Sequence, residues 1–259
     1  MFHHGKIIRK FQASPTVMVL DLNVPSLSTF DPGQWIDFVV KPYTWIGGFS
    51  IASSPRDLPT IRIAVKRSDH PPSTWVHEQS KVNDIVELQI GGTCTLIQQH
   101  QATADNMKPP PPAVFCAGGI GISPILSQYR EFLHQRRQTV DIDATQSPSM
   151  FLYSVSTSEE LVFGKELGEL SLSDSWKPGH DRMVFSLTKT TDKLWDDAIV
   201  DEFPTIERCN GRILTNFLDE APDNAIYYVC GPPTMIDDAV SHLLKRGVTD
   251  SCIKYEKWW

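Results

Sequence analysis

The sequence predicts two domains, a small antiparallel β-barrel followed by an α/β domain built on a parallel sheet. Up to about residue 97, short β-like segments are separated by turn residues. After residue 112, compact apolar segments alternate with stretches of helical length, which is typical of a parallel sheet covered on both faces. Four consecutive prolines at 109–112 form a stiff spacer between the two patterns. We therefore expect a barrel over residues 1–100, a Pro-rich linker over 101–112 and an α/β domain over 113–259.

The barrel half contains six predicted strands, each short and bounded by turn residues. They lie at residues 6–11, 16–22, 34–40, 49–53, 60–66 and 84–90. We expect turns at Pro32-Gly33, Gly47-Gly48, Pro71-Pro72 and Gly91-Gly92.

The α/β half contains five predicted strands, at residues 113–117, 150–155, 183–187, 225–230 and 252–255. Predicted helices lie near residues 124–137, 159–170, 212–218 and 234–245. Residues 191–210, which carry several acids and Trp195, are expected to be an insertion that forms a surface loop.

The net charge and the lengths of the apolar segments narrow the class of protein. Lys and Arg number 24 and Asp and Glu number 31, so the formal net charge is −7. We expect no nucleic acid partner, because a chain with this charge is repelled by a phosphate backbone. The longest apolar stretches are strand-sized and fall below the ~20 residues of a membrane-spanning helix, so we expect no membrane span.

The cysteines indicate a reducing compartment. They form an odd and widely spaced set, Cys94, Cys116, Cys209, Cys230 and Cys252. The set has no C-x-x-C pair, and its spacing excludes a plant-type iron–sulfur cluster within this chain. His3 and His4 lack a third ligand, so we expect no metal site. We expect an intracellular protein, cytoplasmic rather than mitochondrial, with a mitochondrial presequence as the alternative because the N-terminus is basic.

The sharpest local signal is the glycine-rich segment at residues 114–124, VFCAGGIGISP. A buried strand runs through Gly118, Gly119 and Gly121 into a helix, with Ser123 as its N-cap. Glycines let the backbone approach a phosphate closely, and a helix N-terminus adds free N–H groups. A plain tight turn is the alternative, but the strand before and the helix after the glycines favour phosphate binding.

Three further segments carry weaker signals. Residues 227–235, YYVCGPPTM, place Cys230 at the carboxyl end of a strand, where open α/β sheets bind ligands, although a lone cysteine is more often a buried small side chain. Residues 47–55, GGFSIASSP, are on composition a plain strand between turns, and Ala52 excludes a G-x-S-x-G nucleophile elbow. The last two residues are tryptophans, which either close the core or cover a flat ligand.

Taken in order, these segments resemble the ferredoxin–NADP reductase superfamily with its FAD-binding FR-type barrel, and most closely its group of oxidoreductase NAD-binding domain-containing proteins. The resemblance covers almost the whole chain. Residues 33–35 are similar to the family's G-Q-[YF], residues 49–53 to its flavin motif and residues 65–66 to the end of the strand along the flavin. Residues 117–123 are similar to its nicotinamide–nucleotide pyrophosphate loop, residues 230–235 to C-G-P-P-x-M and residues 256–258 to its closing E-x-aromatic.

The resemblance implies a flavin-dependent NAD(P)H oxidoreductase, in which hydride passes from nicotinamide to FAD and electrons pass to a separate, unidentified acceptor. It implies catalytic roles for Ser50 near the flavin N5, for Cys230 and Glu256 beside the nicotinamide, and for Trp258 stacked on the flavin. The cofactor-binding residues that it implies are Phe49, Ser50, Ile51, Ala52, Val65, Lys66, Ser73, Thr74, Trp75, Gly118, Gly119, Ile120, Gly121, Ile122, Ser123, Cys230, Gly231 and Pro232.

The chain departs from the family pattern in the flavin motif, which is usually R-x-Y-S. Gly47 stands in place of the Arg and Phe49 in place of the Tyr. Phe keeps a stacking face, whereas Gly removes a charge-assisted phosphate contact, which Arg56, Lys66 or Arg67 is a candidate to replace. FAD is the expected cofactor, with FMN or no flavin as alternatives. The alternative function is a flavin-free NAD(P)-binding module without reductase activity.

The nucleotide preference and the acceptor stay open. Ser156, Lys189 and Arg212 are candidates to bind a 2′-phosphate, whereas Glu159 and Glu160 disfavour one. The negative net charge disfavours an acidic ferredoxin as acceptor, because like charges impede docking.

Overall fold

Each half of the chain forms a six-stranded sheet, as the computed structural model shows. The structure describes residues 1–40, 45–97, 109–138, 147–189, 195, 202–212 and 214–257. The first sheet is antiparallel and the second is parallel, so the predicted fold class is confirmed. Within the described ranges, no helix combines the length and the apolar character that a membrane span needs.

The first sheet closes into a barrel. Its strands are β1 (His3–Ser14), β2 (Val17–Asn23), β3 (Trp35–Val40), β4 (Trp45–Ser50), β5 (Thr60–Lys66) and β6 (Ile85–Gly91), in the order β4-β3-β6-β1-β2-β5. An antiparallel bridge between Ile51 and Ile63 joins the end of β4 to β5, so the two edge strands meet. Ile61, Ile63 and Val65 alternate along β5 and are fully buried in the barrel core. Helix α1 (Pro71–Glu78) follows β5.

The second sheet has the doubly wound arrangement. Its strands are β7 (Ala113–Gly118), β8 (Ser149–Val155), β9 (Arg182–Leu187), β10 (Glu207–Asn210), β11 (Ile226–Cys230) and β12 (Ile253–Glu256), in the order β10-β9-β8-β7-β11-β12. The helices are α2 (Ile122–Gln138), α3 (Gly164–Ser171), α4 (Leu214–Leu218) and α5 (Pro233–Lys245). The chain leaves β7 on one side through β8 and returns on the other at β11. The carboxyl ends of β7 and β11 therefore lie at the switch point, where such sheets bind ligands.

Strand β7 is buried on both faces, which explains why its sequence is apolar throughout. Phe115 packs with Tyr129 and Phe132 of α2 on one face of the sheet. Cys116 lies in the cluster on the other face, together with Ile236 of α5. Because both faces are covered, alternation of polar and apolar residues is absent from this strand.

Apolar and polar contacts join the two domains. Val17, Val19 and Ala64 of the barrel lie in the same buried cluster as the side chains between the parallel sheet and α2. The Thr16 hydroxyl donates to Glu160 Oε2 at 2.8 Å, and the Ser14 hydroxyl donates to the same oxygen at the same distance. These contacts fix the barrel against the α/β domain.

The prediction of a surface loop over residues 191–210 is wrong for part of this segment. Residues 190–194 and 196–201 lie outside the described residues, but β10 pairs in parallel with β9 at the edge of the sheet. Phe203 and Ile206 are buried just before it, and Trp195 packs half-buried against the same core. The β10 sequence ERCN carries no apolar pattern, because backbone pairing with β9 and the ion pair between Glu207 and Arg182 contribute to holding this edge strand.

Two predicted turns are also wrong. Gly47 and Gly48 lie inside β4, paired with Phe38 and Asp37 of β3. Pro71 and Pro72 form the first turn of α1, where proline is favoured because its missing N–H has no partner there in any helix. Residues 101–108 of the predicted linker lie outside the described residues, so the domain boundaries stay a prediction.

Candidate functional site

A cleft of about 810 Å³ lies between the barrel and the α/β domain. Its size is within the range of pockets that hold small molecules and cofactors, ~300–1,000 Å³. The barrel wall consists of Trp35, Asp37, Ile46, Gly48, Phe49, Ser50, Ala64, Lys66, Arg67, Ser68, His70 and Ser73. The opposite wall consists of Gly118, Gly119, Ile120, Gly121, Ser123, Gly231 and Pro232. The cleft therefore lies at the switch point of the parallel sheet.

The glycine loop after β7 packs closely against the loop after β11. A Cβ atom on Gly121 would lie 2.3 Å from the carbonyl oxygen of Cys230, and one on Gly118 would lie 2.5 Å from the Met235 sulfur. Gly119 differs, because it has a φ of +53° and nothing lies within 4 Å of its Cβ position. The loop thus presents bare backbone to the cleft at Gly119 while its other glycines allow close packing.

Ser123 provides a buried hydroxyl in the first turn of α2, which begins at Ile122, so the prediction that Ser123 is the N-cap is wrong. The residue is 2% exposed, and among the described residues its Oγ has no hydrogen-bond partner. Buried hydroxyls are rarely left unpaired in native proteins, so a ligand acceptor is the expected partner here. A phosphate oxygen suits this position, because the helix N-terminus adds positive electrostatic potential. The loop and Ser123 therefore fit a dinucleotide pyrophosphate.

The flavin motif divides between the cleft and the barrel core. Phe49 and Ser50 line the cleft, and the Phe49 ring packs edge-on against Phe38 at a centroid distance of 5.6 Å. Ile51 and Ala52 are 0% and 1% exposed, so their side chains lie inside the protein. An aromatic face and a hydroxyl at the end of β4 suit a flat heteroaromatic ligand with hydrogen-bonding edges.

Successive side chains at the end of β5 also alternate between the barrel core and the cleft. Val65 is fully buried in the barrel core, whereas Ala64 and Lys66 on either side of it line the cleft. The Val65 carbonyl accepts a hydrogen bond from His77 Nε2 at 2.9 Å. Burial lowers the pKa of His77, so its ring stays neutral on the buried face of α1.

Helix α1 brings one of its three predicted residues to the cleft. Ser73 lines the cleft, and its Oγ donates to the Lys66 carbonyl at 2.8 Å. The Thr74 hydroxyl donates to the Ser68 carbonyl at 3.3 Å, and Trp75 packs against Phe38 at a centroid distance of 5.9 Å. Thr74 and Trp75 therefore support the wall without lining it.

Cys230 lies at the carboxyl end of β11, beside Ala117 on β7 and Glu256 on β12. It is 4% exposed, and burial, followed by the charge of Glu256, raises its pKa to about 12. At neutral pH the group is a thiol and not a thiolate. Gly231 and Pro232, directly after it, line the cleft, so Cys230 lies just behind that wall.

Trp35 is the main site residue that the motif analysis did not assign to the site. Its Nε1 donates to Glu256 Oε1 at 3.0 Å, which joins the barrel wall to the end of β12. The indole occupies the space next to Gly91 and Gly92, where Cβ atoms would lie 2.6 and 2.8 Å from it. Trp35 pairs with Gly91 across β3 and β6, and no local sequence pattern reports this contact. Trp258, predicted to stack on the flavin, lies outside the described residues.

The remaining predicted cofactor-binding residues divide between the cleft and the protein core. Ile120, Gly231 and Pro232 line the cleft, whereas Ile122 is fully buried in the α/β core. Arg67 was only a candidate replacement for the missing arginine, and the structure brings it to the cleft.

The antiparallel barrel, the doubly wound parallel sheet and the cleft between them define the two-domain fold of the ferredoxin–NADP reductases. The flavohaem-like FAD/NAD-binding domain of nitric oxide dioxygenase from Vibrio cholerae has a TM-score of 0.72 at 21% identity, with 99% of this chain and 98% of that chain covered. A ferredoxin NADP+ reductase from Neisseria gonorrhoeae with bound FAD and NADP has a TM-score of 0.70 at 19% identity, with 98% of each chain covered. At these identities the likeness shows the fold.

The chain belongs to the family of oxidoreductase NAD-binding domain-containing proteins. The model of the oxidoreductase NAD-binding domain matches residues 115–241. Oxidoreductase NAD-binding domain-containing protein 1 of Bos taurus is 32% identical, with 98% of this chain and 80% of the relative covered. The human protein of the same name is 31% identical, with 98% and 79% covered. The phenol hydroxylase P5 protein of Acinetobacter pittii (strain PHEA-2) is a more distant relative at 23% identity, with 98% and 67% covered.

Proposed function

We propose that the protein is a flavin-dependent NAD(P)H oxidoreductase that transfers hydride from nicotinamide to FAD and passes electrons to a separate acceptor. The observation that carries the proposal is the composition of one cleft. Its α/β wall has a bare glycine loop and a buried hydroxyl that finds no partner in the described part of the chain, and its barrel wall has an aromatic ring and a second hydroxyl. The first set suits a pyrophosphate and the second suits a flat redox cofactor.

The chain's residues take distinct roles in this proposal. Gly119 and Ser123 bind the nicotinamide dinucleotide through its phosphates. Ser50 offers a hydroxyl to the flavin edge, and Phe49 supports the ring. When bound, FAD supplies a hydride acceptor that can later release electrons. Apolar lining such as Ile120 excludes water from the reacting face.

Cys230 and Glu256 orient the nicotinamide in this proposal. The raised pKa of Cys230 leaves a neutral thiol at the carboxyl end of β11, directly before Gly231 and Pro232, which line the cleft. Glu256 is held by Trp35, so one carboxylate oxygen keeps a fixed position at the end of β12. Two domains that each position one cofactor lower the entropic cost of bringing the reacting atoms together.

The nicotinamide cofactor is NADH or NADPH, and the compartment is a reducing one, the cytoplasm or the mitochondrion. A smaller pocket beside the glycine loop is lined by Ser156 and Glu160 as well as Gly119 and Ile120. A 2′-phosphate there would lie near the carboxylate of Glu160. All five cysteines are free thiols, which supports the reducing compartment.

A flavin-free NAD(P)-binding module is the second candidate function. The observation that favours it is the contact between α1 and Gly47, since a Cβ there would lie 2.8 Å from Pro72 Cβ. No cationic side chain can occupy that position of β4. In this case the cleft would bind the nucleotide and lack a redox partner for it.

An absorbance experiment separates the two functions. Purified protein is titrated with FAD and freed of excess, and NADH or NADPH is then added without oxygen. If the protein is the reductase, bound flavin should give an absorbance band in the visible range, and this band should bleach with NADH, NADPH or both. A protein that stays colourless at high FAD concentration, but still binds NAD(P)H by calorimetry, overturns the reductase in favour of the module.

A further inference from the structure

The end of β5 and the loop between β5 and α1 carry positive charge into the cleft. Among the described residues that line the cleft, Lys66 and Arg67 supply the positive charge, and Asp37 supplies a carboxylate. Lys66 also lines the smaller pocket beside Gly119, so it lies near the glycine loop of the other wall. Arg67 lines only the larger cleft, on the side of Ser68 and the α1 N-terminus.

The N-terminus of α1 has few donors left for a phosphate. Pro71 and Pro72 remove two of the N–H groups that a helix N-terminus normally presents. The Ser73 hydroxyl donates to the Lys66 carbonyl at 2.8 Å and accepts from the Ser68 N–H at 3.1 Å. The helix dipole alone provides a weak anion site here, so side chains must supply most of the charge.

Strand β4 cannot supply that charge at Gly47. A Cβ atom there would lie 2.8 Å from Pro72 Cβ and 3.1 Å from the Phe49 ring. Real Cβ contacts below 3.0 Å essentially do not occur, so the packing of α1 excludes every larger side chain at this position.

Arg56 is already engaged elsewhere. Its Nε and Nη2 donate to the two carboxylate oxygens of Glu131 on α2, at 3.1 and 2.9 Å, and the Glu131 side chain is 7% exposed. A bidentate pair of this kind occupies the planar fork of the guanidinium. Arg56 therefore stabilises the contact between the domains and does not face the cleft.

Arg67 is free to bind an anion. Its Nη1 donates to Glu78 at 3.3 Å, and the two side chains are 50% and 56% exposed. Exposed pairs of this kind contribute little free energy, so a phosphate can displace Glu78 at low cost. The guanidinium fork then matches two phosphate oxygens.

We infer that Arg67 binds the phosphate of a flavin nucleotide on the barrel wall, in place of a cation on β4. The inference rests on the proposed flavin function, because the phosphate belongs to FAD in that function. The shared chemistry is a phosphate ester, which FAD and FMN both carry and riboflavin lacks. The loop position also separates this phosphate from the one at Ser123 on the opposite wall.

The test is flavin affinity in the unmodified protein and in Arg67→Ala, measured by flavin fluorescence with FAD, FMN and riboflavin. We expect the Kd for FAD to rise about 10- to 100-fold in Arg67→Ala, the loss typical of a charge-assisted phosphate contact. The Kd for riboflavin should stay unchanged. If the Kd for FMN rises as much as the Kd for FAD, Arg67 binds the terminal phosphate of FMN. If only the Kd for FAD rises, Arg67 binds the diphosphate. Both outcomes support the inference.

Arg9→Ala is the matched control, because Arg9 is an exposed barrel arginine outside the cleft that lies over the Phe11 ring. It should bind all three flavins as the unmodified protein does. Equal FAD affinity in Arg67→Ala and the unmodified protein overturns the inference. An equal loss for riboflavin also overturns it, because the effect then comes from the ring site. If the unmodified protein binds no FAD, the proposed function fails and the inference fails with it.

A second variant tests whether β4 can supply the cation in place of the loop that carries Arg67. Gly47→Arg in the Arg67→Ala background should not recover FAD affinity, because Pro72 blocks the new side chain. Recovery of FAD binding in the double variant would show that β4 can carry the cation and would overturn the exclusion of a cation at Gly47, whereas the loss in Arg67→Ala alone decides the contact at Arg67. Far-UV circular dichroism confirms that each variant is folded before its Kd is interpreted.

Discussion

The indole of Trp35 on β3 and the carboxylate of Glu256 at the end of β12 form a hydrogen bond of 3.0 Å across the domain junction. The two residues are 221 positions apart in the sequence. One belongs to the barrel wall of the cleft, and the other pairs with Cys230 in the parallel sheet. The bond couples the position of the carboxylate to the barrel.

Removal of this bond should slow flavin reduction. Trp35→Phe keeps an aromatic ring but loses the N–H donor, so the Glu256 carboxylate loses a fixed partner. We expect the rate of flavin reduction at saturating NAD(P)H to fall about 10-fold, which corresponds to about 1.4 kcal/mol, with little change in the Kd for the nucleotide. Stopped-flow absorbance measures both quantities.

Trp176→Phe is the control, because it removes a buried indole from the α/β core away from the cleft. It should leave the reduction rate unchanged. An unchanged rate of flavin reduction in Trp35→Phe would show that the hydrogen bond from Trp35 is not needed to position Glu256. A loss confined to nucleotide affinity would assign Trp35 to ground-state binding instead.

The glycine loop gives a prediction about packing. Gly121→Ala forces a methyl group to within 2.3 Å of the Cys230 carbonyl, so the loops after β7 and β11 must separate. We expect a loss of about 1–3 kcal/mol in the free energy of unfolding and a marked loss of NAD(P)H binding. Urea titration and calorimetry measure these effects.

Gly247→Ala is the control for Gly121→Ala, because it separates an effect on stability from an effect on nucleotide binding. Gly247 has a φ of +84° with nothing within 4 Å of its Cβ position, so alanine there is strained but meets no neighbour. It should also lower stability by about 1 kcal/mol. Nucleotide affinity should stay normal, and a parallel loss of affinity would mean that binding simply follows stability.

The buried thiols predict a loss of stability at high pH. Burial raises the pKa of Cys94 and of Cys230 to about 12, whereas an unfolded cysteine ionises near pH 8.5. Above the unfolded pKa, the folded state binds more protons than the unfolded state, so the free energy of unfolding falls as pH rises from about 8.5 to 12.

One thiol contributes at most about 1.4 kcal/mol per pH unit to this slope. Cys230→Ala should therefore make the decline between pH 9 and 11 shallower by a fraction of this amount, measured by urea denaturation at each pH. Identical slopes in Cys230→Ala and the unmodified protein contradict the raised pKa.

The α/β domain depends on a buried ion pair between Arg136 and Asp181. Their side chains are 3% and 0% exposed, and Asp181 also accepts hydrogen bonds from the Ser149 N–H and hydroxyl and from the Lys177 N–H. Asp181→Asn leaves the buried guanidinium without its counter-charge, and we expect a loss of about 3–5 kcal/mol.

Glu202→Gln is the control for this prediction, because Glu202 pairs with Lys165 and both side chains are at least half exposed. Its cost should stay below about 1 kcal/mol. Thermal or urea denaturation measures both variants. Similar costs at the two positions would show that Asp181 is not essential to the packing between α2 and the sheet.

The fold was predictable because its main signals are local. The β7 sequence is continuously apolar, and the glycines after it lie between a strand and a helix, so sequence spacing identifies the edge of the sheet at which the cleft lies. Strand β10 was not predictable, because Glu207 to Asn210 are held by backbone pairing with β9 and carry no apolar pattern. The glycines of β4 were mistaken for a turn, because the α1 packing that requires one of them is a tertiary contact.

The candidate site was predictable where a motif fixes the backbone and less so where side chains meet across the domains. Ser50, Lys66 and Ser123, which the family resemblance implies as cofactor-binding residues, line the cleft, and their roles stay a prediction. The alternation of β5 sends Val65 into the barrel core, and only the strand's register shows which neighbours face outward. The partnership of Trp35 with Glu256 joins residues from opposite ends of the chain, and no local pattern reports such a contact.

The apolar junction between the domains limits how the protein can be divided. Val17, Val19 and Ala64 belong to the core that the α/β domain also builds, so a barrel fragment ending near residue 100 would present them to water. A patch of this kind promotes self-association, and the fragment would be prone to aggregate on expression. The barrel is thus a topological unit of this chain but not an autonomous one, and flavin binding has to be studied in the whole chain.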